Sequence, residues 1–266
     1  MIYVHENNLK TKIKDDYKNK DKIGIGTKIQ TFYNTKYIPL KNKLLSYTFN
    51  SKNISTLIVS FTNDINQYYK DLKQFAKDNK IDAHSKFEST FLEEISCYLF
   101  KDIKEIKTGK FDIFNKGIYA GLKINNDDSI EIIKKDVDFC IGKKTKITIG
   151  GQPEEDLIIP VIAVEVKTYL DATMFGEVKS SSKDIRSSSP MSKTYVLMGY
   201  KNIKNDHILA AKQDSTITEM FVMKKNKKAT DFDSNALLEY YETISEAVKK
   251  ALTKEKIKTP GKLFNR

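Results

Sequence analysis

The stretch Leu157-Ile-Ile-Pro-Val-Ile-Ala-Val-Glu165-Val-Lys167 is a continuous apolar run that ends in two charged side chains. Its β-branched residues, and the turn-forming Gly150-Gly-Gln-Pro153 before it, predict a buried strand. Side chains on a strand alternate, so Glu165 and Lys167 point to the same face. Burying both charges is costly unless a metal ion or a phosphate compensates them. The end of this strand is therefore predicted to be a metal-dependent phosphodiesterase site.

A second acid lies upstream, in the segment Ile132-Ile-Lys-Lys-Asp-Val-Asp138-Phe-Cys-Ile141. Mg²⁺ prefers oxygen ligands and typically takes one or two carboxylates from a protein. We predict that Asp138 and Glu165 are these ligands and that the backbone carbonyl of Val166 is a third. Lys167 is expected to orient the attacking water or to offset the charge that builds on the phosphate.

The first acid has an alternative. Asp136 and Asp138 would share one face of the same strand, so the sequence does not exclude Asp136. Asp138 is preferred because it directly precedes the apolar residues 139–141, nearer the expected bend of the sheet.

A Glu-x-Lys pair is a weak signal without its context, because Glu105-Ile-Lys107 and Glu177-Val-Lys179 have the same spacing. Those two pairs lie in polar, helix-like stretches, whereas Glu165 follows a β-branched strand. The plainer interpretation, a strand end with a solvated ion pair, is the less favoured one.

These residues resemble the PD-(D/E)xK nuclease superfamily, in which a helix and a small mixed sheet carry this triad. The longer string Val164-Glu-Val-Lys-Thr-Tyr-Leu-Asp171-Ala-Thr-Met174, with Lys135-Asp-Val-Asp138 before it, resembles more narrowly type II restriction endonucleases of the DdeI and BbvCI kind. One departure is that Val137, and not proline, precedes the first acid. The resemblance implies an α/β fold with a restriction-endonuclease-like core, a mixed β-sheet flanked by helices, and helical additions at both ends.

Many members of that superfamily add an acid from the helix before the sheet. Residues 84–100 have an apolar stripe at helical spacing, and Glu88 borders it, so Glu88 is the candidate for this catalytic role. For Glu93 and Glu94 the better interpretation is a carboxylate at the rim of the helix, or one favoured by the helix dipole.

The net charge of +11 and the pI near 9.2 fit a polyanionic partner such as double-stranded DNA. Arg186 is the only arginine besides Arg266, and it follows the predicted catalytic strand. A guanidinium suits bidentate contact with guanine or phosphate. We therefore predict DNA contacts for Arg186 and for the nearby Lys183 and Lys179.

The chain divides into two regions by pattern. Residues 1–83 are predicted to form an N-terminal arm or small hairpin over 1–40 and helices over 41–50 and 54–80, which contact DNA or build a dimer face. Residues 84–266 are predicted to form the nuclease domain and a C-terminal helix. Within it, residues 130–141 are expected to form one strand and residues 168–183 a helix.

Other classes of protein are disfavoured. No run approaches the roughly 18 apolar residues of a membrane span, and the polar N-terminus lacks a signal-peptide core, so the expected location is cytoplasmic. Cys97 and Cys140 sit where small buried hydrophobic residues would, and the three histidines lack the spacing of metal ligands. No P-loop and no Gly-x-Ser-x-Gly motif is present.

The resulting hypothesis is a type II restriction endonuclease that cleaves double-stranded DNA with Mg²⁺, or with Mn²⁺ as a substitute. A homodimer is expected, because a two-fold symmetric DNA site is matched by a two-fold symmetric protein. The resembling enzymes leave 5′-phosphate ends. The alternatives are a repair or junction-resolving nuclease of the same superfamily, a DNA-binding protein with a vestigial site, and a basic protein that binds RNA or surfaces.

Overall fold

A mixed seven-stranded sheet with helices on both faces forms the described part of the protein. This computed structural model describes residues 3–15, 24–49, 52–82, 86–149, 153–214 and 216–251. Within them the helices are α1 (Val4–Lys14), α2 (Ile25–Phe32), α3 (Ile38–Ser46), α4 (Ile54–Asp78), α5 (Ser89–Phe100), α6 (Lys104–Lys107), α7 (Ala172–Ser188), α8 (Asn205–Asp214) and α9 (Ser234–Ala251), and a π-helical segment, Tyr33–Tyr37, joins α2 to α3. None of these helices combines the length and the apolar character that a membrane crossing requires.

The strands are β1 (Asp112–Phe114), β2 (Ile118–Ile124), β3 (Ile130–Lys135), β4 (Phe139–Ile147), β5 (Glu155–Leu170), β6 (Lys193–Lys201) and β7 (Glu219–Val222). The long strand β5 is central: it pairs antiparallel with β4 on one side, and on the other side parallel with β2 and then with β6. The strand β7 continues the sheet beyond β6, and β2 and β3 form a hairpin. The predicted α/β class and mixed sheet are confirmed.

The apolar character of β5 has its cause in burial on both faces. Ile162, Val164 and Val166 point to the face covered by α5 and α9, where they join the largest core cluster. Ala163 points to the opposite face and packs against Ile185 of α7. The middle of β5 is covered by helices on both faces, so residues 157–164 are all apolar, and charged residues occur only before and after them.

The predicted bounds of one strand and of one helix were wrong. Residues 130–141 form two strands, β3 and β4, because the chain leaves the ladder at 136–138 and the Val137 N–H donates to the Asn115 carbonyl instead (3.3 Å). The predicted helix 168–183 begins at Ala172 and runs to Ser188, because β5 extends to Leu170. Asp171 then caps the helix, its Oδ1 accepting from the Met174 N–H (2.9 Å).

The N-terminal region is helical, so the prediction of an arm or small hairpin for residues 1–40 was wrong where the structure describes them. The helices predicted next, over 41–50 and 54–80, are present as α3 and α4. The error has a physical reason: short helices with a weak apolar stripe form here because α1 docks on α5 and buries Leu9.

A buried carboxylate fixes that docking. Glu94 of α5 has no exposed surface, and its Oε2 accepts from the backbone N–H groups of His5 (2.8 Å) and Glu6 (3.1 Å) at the start of α1. Its Oε1 accepts from the hydroxyl groups of Tyr37 (2.7 Å) and Tyr98 (2.9 Å). The interpretation of Glu94 as a rim carboxylate was therefore wrong: it supplies the anion that a helix N-terminus favours.

The buried ring of His5 makes stability depend on pH. Burial lowers the pKa of His5 from 6.5 to about 3, so between these values the unfolded chain binds a proton that the folded chain does not. The free energy of unfolding must then fall as pH falls through this window. We expect the His5 contribution to fall by about 2 kcal/mol from pH 7 to pH 5.

Urea denaturation of the wild type and of His5→Gln at both pH values measures this contribution. The variant removes the titrating ring. Between pH 7 and pH 5 its free energy of unfolding should therefore fall by about 2 kcal/mol less than that of the wild type. Parallel losses in the two proteins would contradict the assignment.

Candidate active site

The charged end of β5 extends beyond the start of β4. Phe139, the first residue of β4, pairs with Val164, so residues 165–170 have no strand partner on that edge. Asp138 takes the place of the missing partner, because its Oδ2 accepts from the Val166 N–H (2.6 Å). The end of one strand and the start of its neighbour thus place Asp138 beside Glu165.

The structure brings Asp138, Glu165 and Lys167 together, at partly buried positions at the end of the sheet. The Lys167 Nζ lies 3.3 Å from the Glu165 Oε2 and 4.0 Å from the Asp138 Oδ2. Ser181 of α7 donates its hydroxyl to the Glu165 Oε1 (3.1 Å). One lysine therefore lies between two carboxylates that are close enough to act on the same ligand.

Burial and neighbouring charges shift the pKa values of Asp138 and Lys167. Burial, followed by the charge of Glu165, raises the pKa of Asp138 from 3.8 to about 6. Burial alone would lower the pKa of Lys167, but Glu165 and Asp138 hold it above its usual range. A site that destabilises its own negative charge in this way is suited to a further cation.

Glu93 of α5 is the acid that sequence reasoning missed. Burial, followed by the charge of Asp138, raises the pKa of Glu93 from 4.5 to about 7, and Glu165 and Lys167 also act on it. All residues of α5 are buried except Ser89 and Glu93, which lie one turn apart and mark the side that opens to the site. The signal was hidden because a helix buried almost all round has no polar rim.

Glu88 lies elsewhere. It is at the N-cap of α5, and its Oε2 accepts from the Tyr69 hydroxyl (2.9 Å). Five residues separate Glu88 from Glu93, which places their side chains about 140° apart on a helical wheel. The structure therefore does not bring Glu88 into the cluster around Asp138.

Asp136, the alternative first acid, supports a turn. It is exposed, and its Oδ1 accepts from the N–H of Gly117 (3.0 Å), whose φ of +66° is a conformation that favours glycine. Asp138, and not Asp136, is the aspartate that the structure places beside Glu165.

The predicted DNA contacts Lys179, Lys183 and Arg186 share one face of α7, at positions i, i+4 and i+7. That face lies about 140–160° from Ser181, the residue of α7 that contacts Glu165. The three basic residues are thus not part of the carboxylate cluster.

The donor set fits a hard divalent cation. In an extended strand the N–H and C=O of one residue face the same neighbour, so the Val166 carbonyl shares the open edge with Asp138. Among the described residues, no three His, Cys, Asp or Glu side chains converge as a metal cage. Two carboxylates and one carbonyl, completed by water and substrate oxygens, match the way proteins hold Mg²⁺.

Comparisons with known proteins place this chain in a family. No curated protein matches the sequence. A solved structure of the native BbvCI A2B2 tetramer matches with a TM-score of 0.73 at 15% identity, covering 94% of this chain and 98% of that chain, which shows a shared fold. The family model for the Bpu10I restriction endonuclease matches residues 84–251, more than half of the chain. The chain therefore belongs to the Bpu10I restriction endonuclease family.

Proposed function

We propose that this type II restriction endonuclease hydrolyses phosphodiester bonds of double-stranded DNA with Mg²⁺ as cofactor, or Mn²⁺ as a substitute, and leaves 5′-phosphate ends. Asp138, Glu165 and Lys167 are its catalytic residues. The observation that carries this proposal is the convergence of two carboxylates and one lysine at the open end of β5.

Each residue has a separate task. Asp138, Glu165 and the Val166 carbonyl would hold the cation, which lowers the pKa of a bound water and offsets charge on the phosphate. The Val166 N–H and the Ser181 hydroxyl orient the two carboxylates. Lys167 supplies a positive charge that holds the attacking water or stabilises the phosphate as its charge increases.

Assembly and DNA contact complete the proposal. We propose a homodimer that presents one active site to each strand of a symmetric sequence. The residues Lys179, Lys183 and Arg186 on α7 contact the DNA backbone away from the cut, since their shared face is turned from Ser181. A DNA-contacting or dimer-forming role for residues 1–83, and a cytoplasmic location, stay predictions.

The proposed activity is tested by incubating the purified protein with a long, sequence-diverse duplex DNA in Mg²⁺, in Mn²⁺ and in EDTA, and then sequencing the product ends. Discrete fragments that share an end sequence and carry 5′ phosphates, formed only with the cation, are the expected result. Absence of cleavage by folded protein would count against the proposal, and preference for branched DNA would indicate a junction-resolving enzyme.

Glu93 is expected to position the metal-binding carboxylates, and Glu88 is not. The substitution Glu93→Gln removes the ionisable group on which the charge of Asp138 acts, while keeping the side-chain size. We expect cleavage to fall by about 10–100-fold, with a higher Mg²⁺ concentration needed for half-maximal rate.

Glu88→Gln should lower the cleavage rate less than Glu93→Gln does. The substitution Glu246→Gln on α9 neutralises an exposed glutamate and serves as the matched control. A purely structural role for Glu93 would lower stability without changing the Mg²⁺ dependence. A larger loss of cleavage rate for Glu88→Gln than for Glu93→Gln would show that Glu88 is the acid that α5 contributes to the site.

A further inference from the structure

A cavity of about 480 Å³ opens at the end of the sheet where β5 and β6 finish, beside the candidate active site. Its walls combine three tyrosines with three lysines: Tyr69, Tyr169, Tyr200, Lys73, Lys224 and Lys227. The rings of Tyr169 and Tyr200 stack on neighbouring strands with centroids 5.7 Å apart. Nothing in the catalytic scheme above uses this cavity.

Lys224, which follows β7, is the most unusual residue in it. The residue is only 4% exposed, yet among the described residues no carboxylate forms an ion pair with its ammonium group. Its Nζ lies 5.1 Å from the ring centroid of Tyr69 and 5.6 Å from that of Tyr200, and its one hydrogen bond, to the Tyr69 hydroxyl, is long at 3.5 Å. Buried lysines without a carboxylate partner are rare, because desolvating the charge is costly.

The three lysines of the cavity outnumber the two acids that line it. Burial, followed by repulsion from Lys73, lowers the pKa of Lys224 to about 8, and the charge of Glu88 offsets only part of this shift. Two acids line the cavity with these lysines: Glu88, which accepts a hydrogen bond from the Tyr69 hydroxyl, and the exposed Asp82. An anion between Lys73 and Lys224 would relieve their repulsion and supply the acceptors that the ammonium groups lack.

The position of the cavity identifies the anion. Tyr169 lies on the same face of β5 as Lys167, two residues further along, which corresponds to about 7 Å. Phosphates recur in each DNA strand at intervals of about 3.4 Å along the helix axis, so a neighbour of the cleaved phosphate falls within this reach. We propose that the cavity binds a DNA phosphate next to the one that is cleaved, with Lys224 as the central contact and Lys73 and Lys227 beside it.

This inference rests on the proposed function, and binding without cleavage tests it. A duplex of about 20 base pairs is titrated in EDTA against the wild type, Lys224→Met and Lys224→Arg over a range of salt concentrations. For Lys224→Met we expect binding about tenfold weaker, and a slope of log K against log salt smaller by about 0.9, because one phosphate contact is lost. Lys224→Arg should restore part of the affinity and part of the salt slope.

Lys225→Met is the matched control, since Lys225 is the exposed neighbour in the same loop and does not line the cavity. Inorganic phosphate at constant ionic strength is a second probe. Competition with DNA that disappears in Lys224→Met supports the proposal. Phosphate binding with an unchanged DNA salt slope would overturn it, because the site would then serve free anions.

An unchanged affinity and slope in folded Lys224→Met would also overturn it and leave Lys224 as a structural cation held by aromatic rings. If that variant fails to unfold cooperatively on heating, the partly exposed Lys73→Met takes its place, with a reduced slope again expected. Failure of the wild type to cut DNA would reject the proposed function, whereas wild-type cleavage with no Lys224 effect would reject the cavity alone.

Discussion

Glu165→Gln and Lys167→Ala are expected to lower DNA cleavage by about 10³-fold or more while the protein stays folded. The amide of glutamine keeps the acceptor for Ser181 but removes the negative charge beside Asp138. Truncating Lys167 removes the only cation that the described structure places between the two carboxylates. Single-turnover cleavage of a duplex that contains the mapped site measures both effects.

The chain offers matched controls for these variants. Glu155→Gln neutralises an exposed glutamate on the same strand, ten residues upstream, where it pairs with Lys134. Asp138→Asn can be compared with Asp136→Asn, two residues away. We expect losses as large as those above for Asp138→Asn and near-wild-type rates for both controls. Cleavage by folded Glu165→Gln at the wild-type rate would remove the triad from the mechanism.

The largest effect on stability is expected for Glu94→Ala. The substitution leaves two backbone N–H groups of α1 and the hydroxyl groups of Tyr37 and Tyr98 without their acceptor in a buried position. Removing one partner of a buried charged network typically costs about 3–5 kcal/mol. The free energy of unfolding should fall by that amount, with a melting temperature lower by about 10 °C.

Equilibrium urea denaturation followed by circular dichroism is the appropriate measurement. Glu246→Ala, which removes one member of an exposed pair with Lys250, should change the free energy of unfolding by less than about 0.5 kcal/mol. Equal losses in the two variants would show that Glu94 does not hold α1 in place.

The parts of the fold that the sequence predicts are those with a strong local pattern. The strand β5 and the helices α4 and α9 each bury one continuous apolar set, so their existence follows from periodicity. The role of the charged end of β5 is predictable for a different reason: a charge at the end of a buried strand needs a compensating partner. The family resemblance inferred from these residues is confirmed by the match over residues 84–251.

The remaining features depend on contacts between distant segments. The apolar residues of 130–135 and 139–147 follow one continuous pattern, which does not reveal a break. The two segments are separate strands, β3 and β4, because they pair with different strands. The helix α8 escaped prediction because its polar sequence has little periodicity. Glu88 was favoured over Glu93 by a wheel that assumes one buried face, whereas α5 is enclosed by α1, α9 and the sheet. Local sequence does not encode which neighbours enclose a helix.

Adjacent residues of α5 serve two distant parts of the molecule. Glu93 opens to the carboxylate cluster, while Glu94 accepts from the first turn of α1. A displacement of α1 would leave the buried Glu94 carboxyl group without two of its donors. Any shift of α5 that relieves this would move Glu93 as well, because one peptide unit joins the two residues. We therefore expect the N-terminal helix and the candidate active site to open as one cooperative unit, so that local unfolding of α1 lowers activity.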